Sequence, residues 1–192
     1  MKNTFFLTFG CKVNQYETQE MSELLASDGY TIINNSKEAD ITIVNSCTVT
    51  AEGVRKVRQT IRKLKKENPD TIMVLTGCAS QAEPHIIKDL PEIDIILGNR
   101  NNTEITSIIK KYLSSPTILN AHKKHSRDDA FCGTGITKFD GHTRAFLKIQ
   151  DGCDRYCAYC LIPYARGFSR SKSLEMIDKE LNKDIFDIIE EI

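Results

Sequence analysis

The first 115 or so residues alternate strand-like and helix-like patterns, and that alternation most limits the folds open to the chain. Residues 4–9, TFFLTF, form a short apolar run of strand length. Residues 14–28 read as a helix, with Asn14 as its cap and Gly29 as its stop. Runs of strand length rich in β-branched residues follow at 30–33 and 41–45. Residues 50–68 carry Val54, Val57, Ile61 and Leu64 three or four apart, the spacing of a helix with one apolar face, and Pro69 ends it. Another buried-type strand is expected at 71–76, a short helix at 81–90, a fifth strand at 93–97 and a closing helix at 103–113. Strands and helices in this order predict an α/β fold, an open parallel sheet with helices on both faces.

Beyond that point the pattern lapses. The stretch that follows is rich in Ser, Asp, Gly, Lys and His and has no sustained period. It reads as a linker, which divides the chain into a domain at 1–115, a linker at 116–141 and the start of a second domain at 142–192. Residues 143–149 regain strand character, a polar loop follows, and a helix is expected from Ser173 onward. The longest apolar runs, at 41–44 and 93–97, suit strands and are far too short to span a membrane. The N-terminal apolar run is also too short for a secretion signal, so the expected location is cytoplasmic.

The chain has seven cysteines, an odd number, and a protein without a secretion signal keeps its thiols reduced. That abundance points to metal chemistry. Cys153, Cys157 and Cys160 stand in DGCDRYCAYC with the spacing Cys-x3-Cys-x2-Cys. A structural zinc site calls for a fourth Cys or His nearby, and none lies within ten residues on either side. A core role conflicts with the charges of Asp151, Asp154 and Arg155 around the thiols. An iron–sulfur cluster fits: three thiolates on one loop can hold a four-iron cluster and leave one iron open to a cosubstrate.

Three other cysteines follow predicted strands. Cys11 comes after FLTFG, Cys47 after ITIVNS and Cys78 after IMVLTG. In an open α/β sheet the C-terminal strand ends lie along one edge, where ligands bind. Gly10 and Gly77 allow an unusual turn or a close approach just before two of these thiols. A single cysteine so placed is most often a plain buried residue, but three at equivalent positions favour a second cluster site. Asn14 and Asn45 lie close by, with helix-capping and turn roles open to them as well as hydrogen bonds to cluster or substrate.

With these motifs in hand, the chain resembles the radical S-adenosylmethionine methylthiotransferases. The Cys-x3-Cys-x-aromatic-Cys signature, with Tyr159 at the aromatic position, marks the radical enzymes. The three separated cysteines ahead of it are the arrangement of the methylthiotransferases. FGCKVNQYET, NSCTVT, GCASQ and DGCDRYCAYCLIPYARG look most like the branch acting on threonylcarbamoyladenosine in tRNA, next to the anticodon. The resemblance implies two [4Fe-4S] clusters, one on Cys11, Cys47 and Cys78 and one on Cys153, Cys157 and Cys160. It implies S-adenosylmethionine on the open iron of the second cluster, with Tyr159 beside the adenine, and reductive cleavage to a 5′-deoxyadenosyl radical. The first cluster then supplies or carries the sulfur, and tRNA is the substrate. An electron donor such as flavodoxin or ferredoxin is a further implied partner, and a membrane is not. A ribosomal-protein methylthiotransferase or a non-catalytic cluster-binding module are the alternatives.

The same resemblance implies a protein of more than twice this length, with a partial β/α barrel of which residues 142–192 supply the first strand and helix. The chain alone is therefore expected to be inactive. Residues 52–67 carry seven Lys/Arg against two acids, a face that suits tRNA phosphates as well as solvent. Cys132, in AFCGTG, matches no ligand position of the family and reads as an incidental thiol.

Overall fold

The computed structural model describes residues 1–47, 51–82, 90–138 and 146–190. The chain runs through β1 (Asn3–Thr8), α1 (Lys12–Ser27), β2 (Thr31–Ile33), β3 (Ile41–Ser46), α2 (Ala51–Glu67), β4 (Ile72–Gly77) and the short α3 (Cys78–Ala82). After β5 (Ile95–Ile96) a 3-10 segment, Asn99–Glu104, leads into α4 (Ile105–Ser114) and β6 (Leu119–Asn120). These six strands form one sheet in the order β2-β1-β3-β4-β5-β6, and every neighbouring pair is parallel. The expected α/β fold is the fold found.

The two faces of the sheet follow from the two-residue period of its strands. Ile41 and Ile43 of β3, Val74 of β4 and Ile95 of β5 face Met21 and Leu25 of α1 and Ile105 and Ile109 of α4. Val44, Met73, Leu75 and Ile96 point the other way and pack on Val57, Ile61 and Leu64 of α2. Val54 joins that second cluster as a partly buried side chain, so all four apolar positions expected for this helix are used. Each fully buried Ile or Leu here contributes roughly 1.5–3 kcal/mol over an exposed one.

Boundaries shift where a local group finds a better use. Asn14 does not cap α1. The helix starts two residues earlier with Cys11 in the cap position, and the Asn14 side chain is buried against β3 instead. Gly29 does stop the helix, at φ +88°, with its amide bonded to the Ala26 carbonyl. The helix expected at 81–90 begins at Cys78, and residues 83–89 lie outside the described residues. The fifth strand pairs only over Ile95–Ile96, although Asp94 and Leu97 still donate backbone hydrogen bonds to Met73 and Leu75.

Part of the segment read as a linker is built into this body. β6 adds a sixth strand beside β5, and the chain after it runs along the sheet edge and α1. The Glu20 carboxylate accepts from the Thr134 and Gly135 amides and Glu23 accepts from the Thr137 amide, while Ile136 is fully buried. Gln81 donates to the Lys123 carbonyl at 2.9 Å.

The strand expected at 143–149 is displaced. Residues 143–145 lie outside the described residues, 146–149 carry no strand, and the ladder starts at β7 (Gln150–Asp151). Its partner is β8 (Arg170–Ser171), antiparallel, so the cysteine loop and α5 (Ile162–Arg166) hang between the two strands. The strand character of 146–149 gives way at Lys148, whose ammonium pairs with Glu17 and Asp151 while Ile149 is left exposed. α6 (Leu174–Glu190) closes the described chain. It is tied down by Glu180, which is buried with Lys172 and the Tyr16 hydroxyl of α1. No helix among the described residues is long and apolar enough to cross a membrane.

Arg100 grips both carboxylate oxygens of Asp129, at 2.7 and 2.5 Å, and so pins the segment after β6. These bonds hold the Asp129 carboxyl at about 2, down from its ordinary 3.8. Because the folded-state value is depressed, the stabilisation is complete above about pH 4 and is lost as pH falls through about 2. Asp129→Asn is expected to cost about 1–2 kcal/mol at neutral pH and nothing below that window. Urea unfolding at pH 7, 4 and 2 measures this, and equal stabilities for parent and variant at all three would rule it out.

Candidate functional site

β1, β3 and β4 lie side by side, with Thr8 opposite Asn45 and Ser46 opposite Gly77, so their C-terminal ends share one edge. The strand order reverses between β1 and β3, and at such a point the connecting segments part and leave a crevice. Cys11 follows β1 by three residues, and Cys47 and Cys78 directly follow β3 and β4. The fold therefore brings the three cysteines to one edge. Cys11 is exposed, Cys47 half-buried and Cys78 buried.

The glycines ahead of two of them are required by contact as well as by dihedral angle. Gly10 sits at φ +110°, and a Cβ there would lie 2.9 Å from the Cys47 Cβ, so the Cys11 turn is laid against Cys47. Gly77 sits at φ +95°, where a Cβ would collide with the Asn45 amide and the Ser46 backbone. The turns before Cys11 and Cys78 thus need residues without a side chain.

Two buried amides brace this edge. The Asn14 amide nitrogen donates to the Asn45 side-chain oxygen and to the Ser46 carbonyl, both at 3.0 Å. Asn45 returns bonds to the Asn14 carbonyl at 2.9 Å and the Thr18 hydroxyl at 3.0 Å. The Cys11 thiol donates to the Asn14 side-chain oxygen at 3.4 Å. That same oxygen also accepts from Nη2 of Arg166, at 3.4 Å.

Arg166 belongs to a buried ionic group that sequence reading missed. Its Nη1 lies 2.7 Å from Glu17 Oε1 and 3.1 Å from Asp151 Oδ1, and only 4% of its surface is exposed. Lys148 bridges the same two carboxylates, at 2.8 and 2.9 Å, and Arg170 reaches Asp151 at 3.7 Å. Burial alone would raise the Glu17 carboxyl pKa, but Arg166 and Lys148 outweigh it and hold the group below its ordinary value. Burial pushes the Cys78 thiol up to about 11, against the pull of the Arg166 guanidinium beside it. The available signal was a carboxylate and a guanidinium inside motifs already singled out, KVNQYET and LIPYARG. Nothing in their spacing says that they meet.

Cys153, Cys157 and Cys160 occupy the loop between β7 and α5. The Cys153 amide donates to the Gly167 carbonyl at 3.0 Å and the Cys160 amide to the Cys157 carbonyl at 2.9 Å. Gly152, at φ +79°, lets the loop press on the Phe168 backbone. Tyr156 takes a left-handed φ of 47° and packs its ring edge-on to Tyr164, with centroids 6.0 Å apart. Tyr159 is 91% exposed, so packing against a core does not account for it. Cys132 lies apart from both trios in chain position, exposed, with its sulfur 3.2 Å from the Thr103 hydroxyl.

Among the described residues no three His, Cys, Asp or Glu side chains close around a point that would take a single metal ion. The donors offered are six thiols in two trios, a soft set suited to a sulfur-bridged iron cluster and unsuited to a hard cation. Gly10 and Gly77 let the turns carrying Cys11 and Cys78 press directly on Cys47, Asn45 and the Ser46 backbone, so the sheet-edge trio sits on closely packed turns. The loop trio, exposed at Cys157 and half-buried at Cys153 and Cys160, is open to such a cluster from solvent.

Over residues 3–98 the chain matches the model of a family described as Uncharacterized protein family UPF0004. It is 36% identical over 180 residues to the threonylcarbamoyladenosine tRNA methylthiotransferase MtaB of Bacillus subtilis, covering 94% of this chain and 40% of the relative. The protein of the same name from Aquifex aeolicus is 37% identical over 177 residues, covering 90% and 42%. The tRNA-2-methylthio-N(6)-dimethylallyladenosine synthase of Staphylococcus epidermidis is 32% identical over 188 residues, covering 94% and 36%. The chain spans about two fifths of the length of these relatives. The resemblance to the methylthiotransferases, and within them to the threonylcarbamoyladenosine branch, is borne out for their N-terminal part. Half of the chain, including Cys11, Cys47 and Cys78, lies under the family model, and the chain belongs to the UPF0004 family.

Proposed function

We propose that this chain is the N-terminal part of a radical S-adenosylmethionine enzyme that adds a methylthio group to N6-threonylcarbamoyladenosine in tRNA, next to the anticodon. The observation that supports this most is the pairing of two cysteine trios, one along the ends of β1, β3 and β4 and one on the β7–α5 loop, both braced by Arg166. In this reading Cys11, Cys47 and Cys78 hold one [4Fe-4S] cluster, and Cys153, Cys157 and Cys160 hold the other. When bound, the clusters and S-adenosylmethionine supply the electron transfer, the sulfur and the methyl group, with flavodoxin or ferredoxin as electron source.

The chain's own residues have simpler tasks. Gly10 and Gly77 allow the close turns that set Cys11 and Cys78 against the end of β3. Asn14 braces the turn that carries Cys11 through its bonds to Asn45 and the Ser46 carbonyl. The exposed Cys157 and Tyr159 leave the second trio open to a cosubstrate, with Tyr159 free to stack on an adenine. That openness also argues that these residues alone cannot shield a radical from water, so the 192 residues are expected to be inactive by themselves.

Protein reconstituted without oxygen is expected to hold about eight irons and eight sulfides. Cys153→Ala, Cys157→Ala and Cys160→Ala together should remove half of each, as should the triple change at Cys11, Cys47 and Cys78. Stoichiometric zinc without sulfide would dismiss the reading.

α2 offers Arg55, Lys56, Arg62, Lys63 and Lys66 as exposed cations. With Arg55, Arg58, Arg62 and Lys66 all changed to Gln in the full-length protein, tRNA affinity should fall. The slope of log K against log salt should become shallower by about one for each phosphate that is no longer neutralised. An unchanged slope would leave α2 a solvated face. The reaction itself is checked by mass spectrometry of digested tRNA after incubation with S-adenosylmethionine and dithionite. The methylthio nucleoside should form with the full-length protein, whereas product from the 192 residues alone would contradict the expected inactivity.

A further inference from the structure

Three cations, Lys148, Arg166 and Arg170, share two carboxylates, Glu17 and Asp151, in a group that is almost fully buried. Ion pairs removed from water are costly unless their charges are closely matched, and Lys148 also faces the charge of the buried Glu20 carboxylate. Arg166 is the member that faces the sheet edge. While Nη1 is occupied by both carboxylates, Nη2 turns to Glu17 and to the Asn14 oxygen that also receives the Cys11 thiol. The charge of the same guanidinium opposes the upward push of burial on the Cys78 thiol. The backbone of Arg166 belongs to the other trio. It ends α5 directly after the cysteine loop, and the next carbonyl, that of Gly167, accepts the Cys153 amide.

We propose that Arg166 is a positioning residue for the sulfur group held by Cys11, Cys47 and Cys78, presenting a positive charge to it while tying it to the loop of Cys153, Cys157 and Cys160. This rests on the cluster reading given above. Net charge and hydrogen bonds to sulfur set the reduction potential of such groups. Removing the cation makes an added electron less welcome and lowers the potential. Removing the Glu17 carboxylate, which pairs with the same guanidinium, raises it.

The test uses full-length protein carrying Cys153→Ala, Cys157→Ala and Cys160→Ala, so that only the sheet-edge group reports. Its midpoint potential is read by redox titration followed by electron paramagnetic resonance, with iron, sulfide and Tm measured on each sample. Arg166→Gln should shift the potential down and Glu17→Gln should shift it up, with Arg166→Lys nearer the parent than Arg166→Gln. If Arg166→Gln alone does not fold, the double variant Glu17→Gln, Arg166→Gln removes one charge of each sign and leaves Lys148 facing Asp151. Its potential should fall below that of Glu17→Gln. Opposite shifts from the two substitutions cannot come from loosened packing alone. Potentials equal to the parent's, or shifts of one sign in Glu17→Gln and Arg166→Gln, would overturn the role of Arg166 while leaving the cluster reading intact. A parent protein with all six cysteines that takes up no iron or sulfide would overturn both.

Discussion

Glu17 lies on α1 with about 1% of its surface exposed, and its two oxygens are met by Arg166 and Lys148 from a part of the chain some 130 to 150 residues away. A carboxylate that deep cannot remain ionised without such partners, and they cannot be buried without it. Breaking a pair of this kind typically costs about 3–5 kcal/mol, since it strands a charge in the interior. The approach of β7, α5 and β8 to α1 is therefore fixed by charge neutralisation at a point. Tyr16, Lys172 and Glu180 make a second buried contact between the same two regions, beginning from the neighbouring residue of α1.

The sheet edge depends on that docking in a less obvious way. Parallel strands deliver three cysteines to neighbouring positions, but strand ends alone leave the connecting turns free to wander. The turns are held by Asn14 and Asn45, whose amides bond each other and the backbone of β3, and by Arg166 from the docked segment. Side-chain amides carry no titratable proton in the working range, so this brace does not loosen with pH as a carboxylate or imidazole would.

Much of this was legible in the sequence. The strand–helix alternation over residues 1–115 was periodic enough to give five of six sheet strands and their parallel sense, because burial on both faces leaves near-continuous apolar runs. β6 was not legible: Leu119–Asn120 is two residues long, in a polar stretch, and owes its place to β5 beside it. Asn14 misled because an Asn ahead of a helix is usually a cap, while here a partner 31 residues away claimed it. The three cysteines at strand ends could be placed on one edge because that edge follows from topology alone. Glu17, Lys148, Asp151 and Arg166 could not be joined, since ion pairs between distant segments leave no period and no spacing behind.

The way residues 134–137 are fastened has an evolutionary consequence. Glu20 and Glu23 accept mainly from backbone amides there, those of Thr134, Gly135 and Thr137. Every amino acid but proline carries that donor, so the path of the segment is encoded in α1 more than in the segment itself. Its own side chains add to this at Thr134 and Thr137, whose hydroxyls join the same carboxylates, while Ile136 is buried and Gly135, at φ +77°, has no space for a Cβ beside Glu180. Related chains can therefore keep this course across the protein while sharing little beyond a glycine and one buried apolar residue along it, and an alignment that weighs only matched letters would mistake a fixed part of the architecture for spacer.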